Sequence, residues 1–230
     1  MSDLNVALVA EGPTDLIVIE AALGAILERS FVLTLLQPEP TRPILGTGWG
    51  GVFKWCTSFR SQGAPTLDTD PTLGQFDLVI IHVDADVADR SYADCGTVVA
   101  QGAADEPVLP CALPCPPPGN TVAALREVVK RWLGVTDPGP KAVLCIPSKS
   151  SESWLVAALL PEREDLVANI ECRTDLADRL EQLPKPLRIR KNVRQYRDRA
   201  GAITTNWSGV TDLCSQARLF EQDVQGVFAS

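Results

Sequence analysis

Four short apolar runs, each followed by a stretch with helical periodicity, constrain the fold of this chain more than any other feature. They are residues 5–10 (Asn-Val-Ala-Leu-Val-Ala), 31–36, 76–83 and 141–146. Runs of this length and β-branched content read as strands, and near-continuous apolarity is what a strand covered on both faces requires. Helices are predicted over 13–28, near 52–61, over 121–133 and from Ser150 or Ser151 to Leu160. Pro13 suits a first helical position, Asn120 is placed to cap the third helix, and Pro161 stops the fourth. The Pro38/Pro40 pair closes the second run, and residues 87–118, rich in proline and small residues, read as an irregular excursion. Strand–helix alternation of this kind implies an α/β fold: a mostly parallel, Rossmann-like sheet with helices on both faces. Beyond residue 160 the chain reads as mainly helical, over 176–183, through a basic stretch, and over 210–221. The expected division is an α/β domain over 1–160 and a helical extension over 161–230 packed on the same domain.

The 230 residues suffice for a substantial core, and no run approaches the ~18 apolar residues of a membrane span. With no basic flank on the N-terminal hydrophobic run, the expected location is the cytoplasm, with no membrane partner. Seven scattered cysteines, an odd number, are expected to be reduced thiols, several of them in the core. Cys111 and Cys115 form the only close pair and lack the second pair of a zinc site.

Net charge is −8, yet the segment from Lys185 to Arg199 carries +6, leaving −14 for the remainder. A basic patch on an acidic body is a partner surface. Arg190, Lys191, Arg194 and Arg197 recur at helical spacing, with Arg188 and Tyr196 beside them. Such a face suits a phosphate backbone, and Tyr196 a stacked base.

Two acidic signatures follow predicted strands. Glu11-Gly12-Pro13-Thr14-Asp15 comes after the first, and Asp84-Ala85-Asp86 after the third. In open parallel sheets, sites lie beyond the carboxyl ends of the strands. Carboxylates gathered there repel one another unless a cation lies between them, and oxygen ligands fit Mg²⁺ or Mn²⁺. Glu11 can ligate a metal or act as a general base. Asp15 falls in a first helical turn, where it either complements the helix dipole or supports the metal. His82, the only histidine, reads as a core residue or as a support behind the ligands. The glycine-rich loop Gly46–Gly51 offers backbone N–H groups to a phosphate but lacks the Gly-Lys-Ser/Thr of a P-loop.

Together, Glu11-Gly12 and Asp84-x-Asp86, in this order and position, resemble the Toprim family: topoisomerases, primases and nucleases of the overcoming-lysogenization-defect type. The resemblance covers about residues 5–160. It extends to Pro147-Ser148-Lys149-Ser150-Ser151-Glu152-Ser153-Trp154, a helix start like that of small stand-alone Toprim-like proteins. Asp89 departs from the family's usual Asp-x-Asp-x-x-Gly continuation. The resemblance implies a Mg²⁺-dependent (or Mn²⁺-dependent) nuclease with Glu11, Asp84 and Asp86 on metal and Glu152 on a second ion. Lys149 would stabilise the transferring phosphate. It also implies DNA or RNA as substrate, and by analogy a role in defence against phage or mobile DNA beside a separately encoded ATPase. A homo-oligomer is compatible with all of this. Two other classes stay open: a Mn²⁺-dependent nucleotide-sugar glycosyltransferase, which gives Glu11 and Glu152 no role, and an inactive Toprim-like binding module.

Overall fold

The computed structural model describes residues 3–39 and 44–229. Pro40, half of the proline pair expected to close the second strand, lies outside them. Four strands form one sheet: β1 (Leu4–Val9), β2 (Phe31–Gln37), β3 (Leu78–His82) and β4 (Ala142–Cys145). Ten helices accompany them among the described residues: α1 (Pro13–Ile26), α2 (Gly48–Gln62), α3 (Thr97–Gly102), α4 (Gly119–Leu133), α5 (Glu152–Leu159), α6 (Glu164–Val167), α7 (Leu176–Gln182), α8 (Val193–Thr205), α9 (Trp207–Leu213) and α10 (Ser215–Phe228).

The sheet is entirely parallel, in the order β2-β1-β3-β4. This is the Rossmann-like α/β arrangement that the alternation predicts. Side chains alternate across it with the period of a strand. Val6, Leu8, Leu78 and Ile80 meet α1, α5, α8, α9 and α10, whereas Ala7, Val9, Val79 and Ile81 meet α2 and α4. The helical C-terminal part shares the first of these cores; α8 lies along both α1 and α5.

The chain leaves β1 for β2 on one side and returns to β3 on the other. The adjacent carboxyl ends of β1 and β3 therefore open a crevice that no crossover covers. Glu11 follows one strand and Asp84 the other.

Several local expectations need correction. α2 begins at Gly48, inside the segment read as a loop, because its glycines serve close packing. A Cβ on Gly51 would lie 2.4 Å from Gln37 Nε2 and 2.8 Å from Gly46 O, and one on Gly50 2.6 Å from Cys95 Sγ. The N–H of Gly48 donates to Glu11 O (2.7 Å), so that amide braces the end of β1. Asn120 does not cap α4; the helix starts at Gly119 after Pro118, with no side-chain cap. The last predicted helix is two, α9 and α10, joined at extended Cys214.

The cysteines also differ from expectation. Cys115 and Cys172, 57 positions apart, form a disulfide with Cα atoms 5.6 Å apart. It ties the irregular excursion to the 3₁₀ turn Ile170–Cys172. Cys56, Cys145 and Cys214 are buried free thiols, as expected of core residues.

Candidate functional site

Beyond β3 the chain turns at once into a 3₁₀ segment, Ala85–Asp89, with Asp84 as its extended cap. This turn runs beside the loop after β4: the N–H groups of Ala85 and Asp86 donate to Pro147 O and Lys149 O, both at 3.0 Å. Lys149 holds a left-handed backbone (φ 59°), a strained state for a residue with a Cβ. Beyond this turn the Ser151 N–H donates to Asp84 Oδ1 at 3.0 Å. The Ser151 hydroxyl donates in turn to Asp15 Oδ1 (2.9 Å), linking the first turn of α1 to the start of α5.

Because side chains alternate along β3, His82 projects to the same side as Ile80 and Asp84, toward α1 and α5. Its Nε2 lies 3.3 Å from Asp84 Oδ1. That approach lacks hydrogen-bond geometry, and among the described residues neither ring nitrogen has a hydrogen-bond partner. Asp15, His82 and Asp84 are all buried, and one ligand atom from each falls within 4.8 Å of the others.

Glu11 accepts the Asp84 N–H at Oε1 (2.8 Å), which locks the ends of β1 and β3 together. Burial raises the Glu11 carboxyl well above the usual carboxylate range, and the neighbouring Asp84 adds to this. Asp84 is raised likewise, by burial first and then by Asp15 and Glu152. Desolvated like charges favour the protonated forms, or a cation in the proton's place.

Glu152 opens α5 and is 1% exposed. Its Oε1 accepts from Tyr196 Oη (2.7 Å) and pairs with Lys191 Nζ (2.8 Å). Burial works to raise this carboxyl, but the Lys191 ammonium and the Tyr196 hydroxyl outweigh it and hold it below the usual range. Lys191 shows the converse: burial favours its neutral form, yet Glu152, Asp15 and Asp84 hold its ammonium charged to unusually high pH.

The remaining predicted residues lie farther out. Asp86 turns toward Arg90, with Nη2 3.1 Å away and the Asp86 side chain 35% exposed; burial raises its carboxyl and Arg90 opposes the rise. The turn after Asp84 breaks the strand pleat, so the two aspartates diverge. Lys149 Nζ pairs with Asp89 Oδ2 at 2.6 Å. The extra acid after Asp-x-Asp thus has a lysine partner from the next loop.

The basic face differs from the expected helix. α8 starts at Val193, capped by Asn192 accepting from the Gln195 N–H, so Arg190 and Lys191 precede it. Tyr196 is 1% exposed and bound to Glu152, so it cannot stack on a base. Lys191 joins the acidic cluster. Arg188, Arg190, Arg194 and Arg197 stay exposed and, among the described residues, make no ion pair. Lys185, Arg188, Arg190 and Arg199 line an open cleft with Gln195 and Asp198. Arg188 Nε and Arg199 Nη2 are held there by Leu183 O and Pro186 O, both at 3.1 Å.

Sequence reasoning missed Ser151, the place of Lys191, and the orientation of His82. The two-residue spacing from His82 to Asp84 was the available signal for the last. No family model matches the chain, and no curated protein or solved structure does either.

Proposed function

We propose that the protein is a divalent-metal-dependent phosphodiester hydrolase acting on nucleic acid, as the Toprim resemblance implies. The observation that carries this reading is the joining of two opposite surfaces. Carboxylates from the ends of β1 and β3, the first turn of α1 and the start of α5 share one crevice, and the basic 185–199 segment sends Lys191 into it (Nζ–Glu152 Oε1, 2.8 Å).

The residues fit a cation. Carboxyls raised first by burial and then by one another, and a buried imidazole without a hydrogen-bond partner among the described residues, are groups that a bound ion satisfies. Asp15 and Asp84 would hold the ion, with Glu11 beside them. A bound divalent ion supplies Lewis-acid polarisation of a phosphoryl oxygen and an acidified water. The chain's own residues do the rest. Lys191 sets a positive charge at the crevice, where phosphoryl oxygens gain negative charge in the transition state. Glu11, whose carboxyl burial raises above the usual range, is when ionised a stronger base than an ordinary carboxylate and is suited to taking a proton from water. The exposed arginines hold the phosphate backbone without regard to sequence.

Wild type, Glu11→Gln and Asp84→Asn should be assayed on single- and double-stranded DNA and RNA with Mg²⁺ or Mn²⁺. Cleavage by wild type, reduced about 100-fold or more in both variants, is the expected result. Cleavage that survives both substitutions would sink the proposed site. Nucleic-acid binding with no cleavage under any condition would favour the binding-module reading.

A further inference from the structure

We propose that His82 is a metal ligand, making the centre a mixed nitrogen–oxygen site of His82 with Asp15 and Asp84 that selects a first-row transition dication over Mg²⁺. This rests on the hydrolase reading only in taking the acidic crevice as a metal site, and it names the class of cation.

Three observations carry it. His82 is fully buried, yet among the described residues neither ring nitrogen has a hydrogen-bond partner. A buried polar group left unpaired is costly, so native structures rarely keep one without a use for it. The ring also approaches the carboxylates: Nε2 lies 3.3 Å from Asp84 Oδ1, and one ligand atom each of Asp15, His82 and Asp84 lies within 4.8 Å of the others. Finally, Ser151 donates to Oδ1 of both Asp15 and Asp84, which fixes the two carboxylates side by side.

The chemistry of the donors sets the preference. Mg²⁺ takes oxygen ligands and sheds water reluctantly, whereas imidazole suits Fe²⁺, Ni²⁺, Cu²⁺ and Zn²⁺; Mn²⁺, the weakest-binding of the first-row dications, serves as their spectroscopic probe. An all-carboxylate site would separate these ions weakly, but one with a nitrogen donor separates them well. The donor positions also come from defined elements: the last residue of β3, the cap of the 3₁₀ segment that follows it, and the first turn of α1.

The test is spectroscopic and uses tag-free protein, in which His82 is the only histidine. Mn²⁺ is titrated in and followed by electron paramagnetic resonance, and pulsed measurements then look for nitrogen coupling to the bound ion. The expected result is tight Mn²⁺ binding with imidazole nitrogen coupling that changes when the histidine is labelled with ¹⁵N. Mg²⁺ should displace the ion only at about 100-fold excess or more. His82→Gln should lose the coupling and bind Mn²⁺ about tenfold or more weakly, with its circular dichroism unchanged. The labelling experiment needs no variant, so it decides the matter even if His82→Gln folds poorly. Bound Mn²⁺ without nitrogen coupling would overturn the ligand assignment and leave the hydrolase reading standing. A wild-type protein that binds no Mn²⁺ would overturn both.

Discussion

At the scale of residues, the crevice is organised by pairs in which one member limits the ionisation of the other. Glu152 is almost fully buried and stays ionised because Lys191 and Tyr196 meet it; neither partner is near it in sequence. Lys191→Met should therefore raise the Glu152 carboxyl and destabilise the fold. Removing one partner of a fully buried pair costs about 3–5 kcal/mol, but the Lys191 side chain is 44% exposed, so solvent screens the loss. We expect about 1–2 kcal/mol by urea unfolding, with part of it recovered when Glu152→Gln is added. An additive double variant would show that the two residues do not interact. None of this was legible in advance. Lys191 and Tyr196 read as part of a nucleic-acid face because a helical projection records spacing, and the burial of one side chain depends on what packs beside it.

Among elements, the loops after β1, β3 and β4 are held to one another by hydrogen bonds from backbone N–H groups, and those loops place the site. The N–H of Asp84 reaches Glu11, and those of Ala85 and Asp86 reach the loop after β4. A second brace stands behind them. Ser148 donates to the carbonyl of Glu171, whose carboxylate takes the N–H groups of Ser215 (2.8 Å) and Gln216 (2.9 Å) at the start of α10. An acid at a helix start satisfies orphan donors and complements the dipole. Glu171→Ala should cost about 1–2 kcal/mol in chemical denaturation, and Glu171→Gln, which keeps an acceptor, about half as much. Equal stability of all three proteins would show that the cap is dispensable. The strands and most helices were legible because each carries its own periodicity. The start of α2 was not: glycines chosen for close approach to Gln37 and Cys95 look, in one dimension, like those of a loop.

For the whole molecule, the acidic crevice couples stability to pH and to metal. Glu11 and Asp84 hold their protons more tightly when folded, chiefly because they are buried. Their stabilising contribution is complete below the ordinary carboxylate pKa of about 4 and is lost as pH rises through the higher folded-state values. Glu152 is shifted the other way; its contribution is present above about pH 4 and lost as pH falls through its lowered folded value. With Glu11, Asp84 and Asp86 raised against Glu152 lowered, protein in EDTA should lose thermal stability as pH climbs toward neutrality and beyond. Saturating Mn²⁺ should flatten that decline by replacing the protons. Melting curves from pH 4 to 9 with and without metal measure this, and identical profiles would argue against a cation in the crevice.

The chain's own pattern determined the parallel α/β sheet and the strand ends at which Glu11, Asp84 and Glu152 lie, because apolar periodicity and connection rules are local or nearly so. It also showed the charge asymmetry of the 185–199 segment, which composition alone records. Only the tertiary structure decided which acids meet. Asp15 and Asp84 share Ser151 and face His82, Asp86 turns away to Arg90, and Lys191 enters the acidic crevice. The Cys115–Cys172 bond was equally out of reach, since it joins segments that approach only after the core has formed. Such pairings depend on contacts between residues up to 136 positions apart, and no one-dimensional period encodes a distance of that kind.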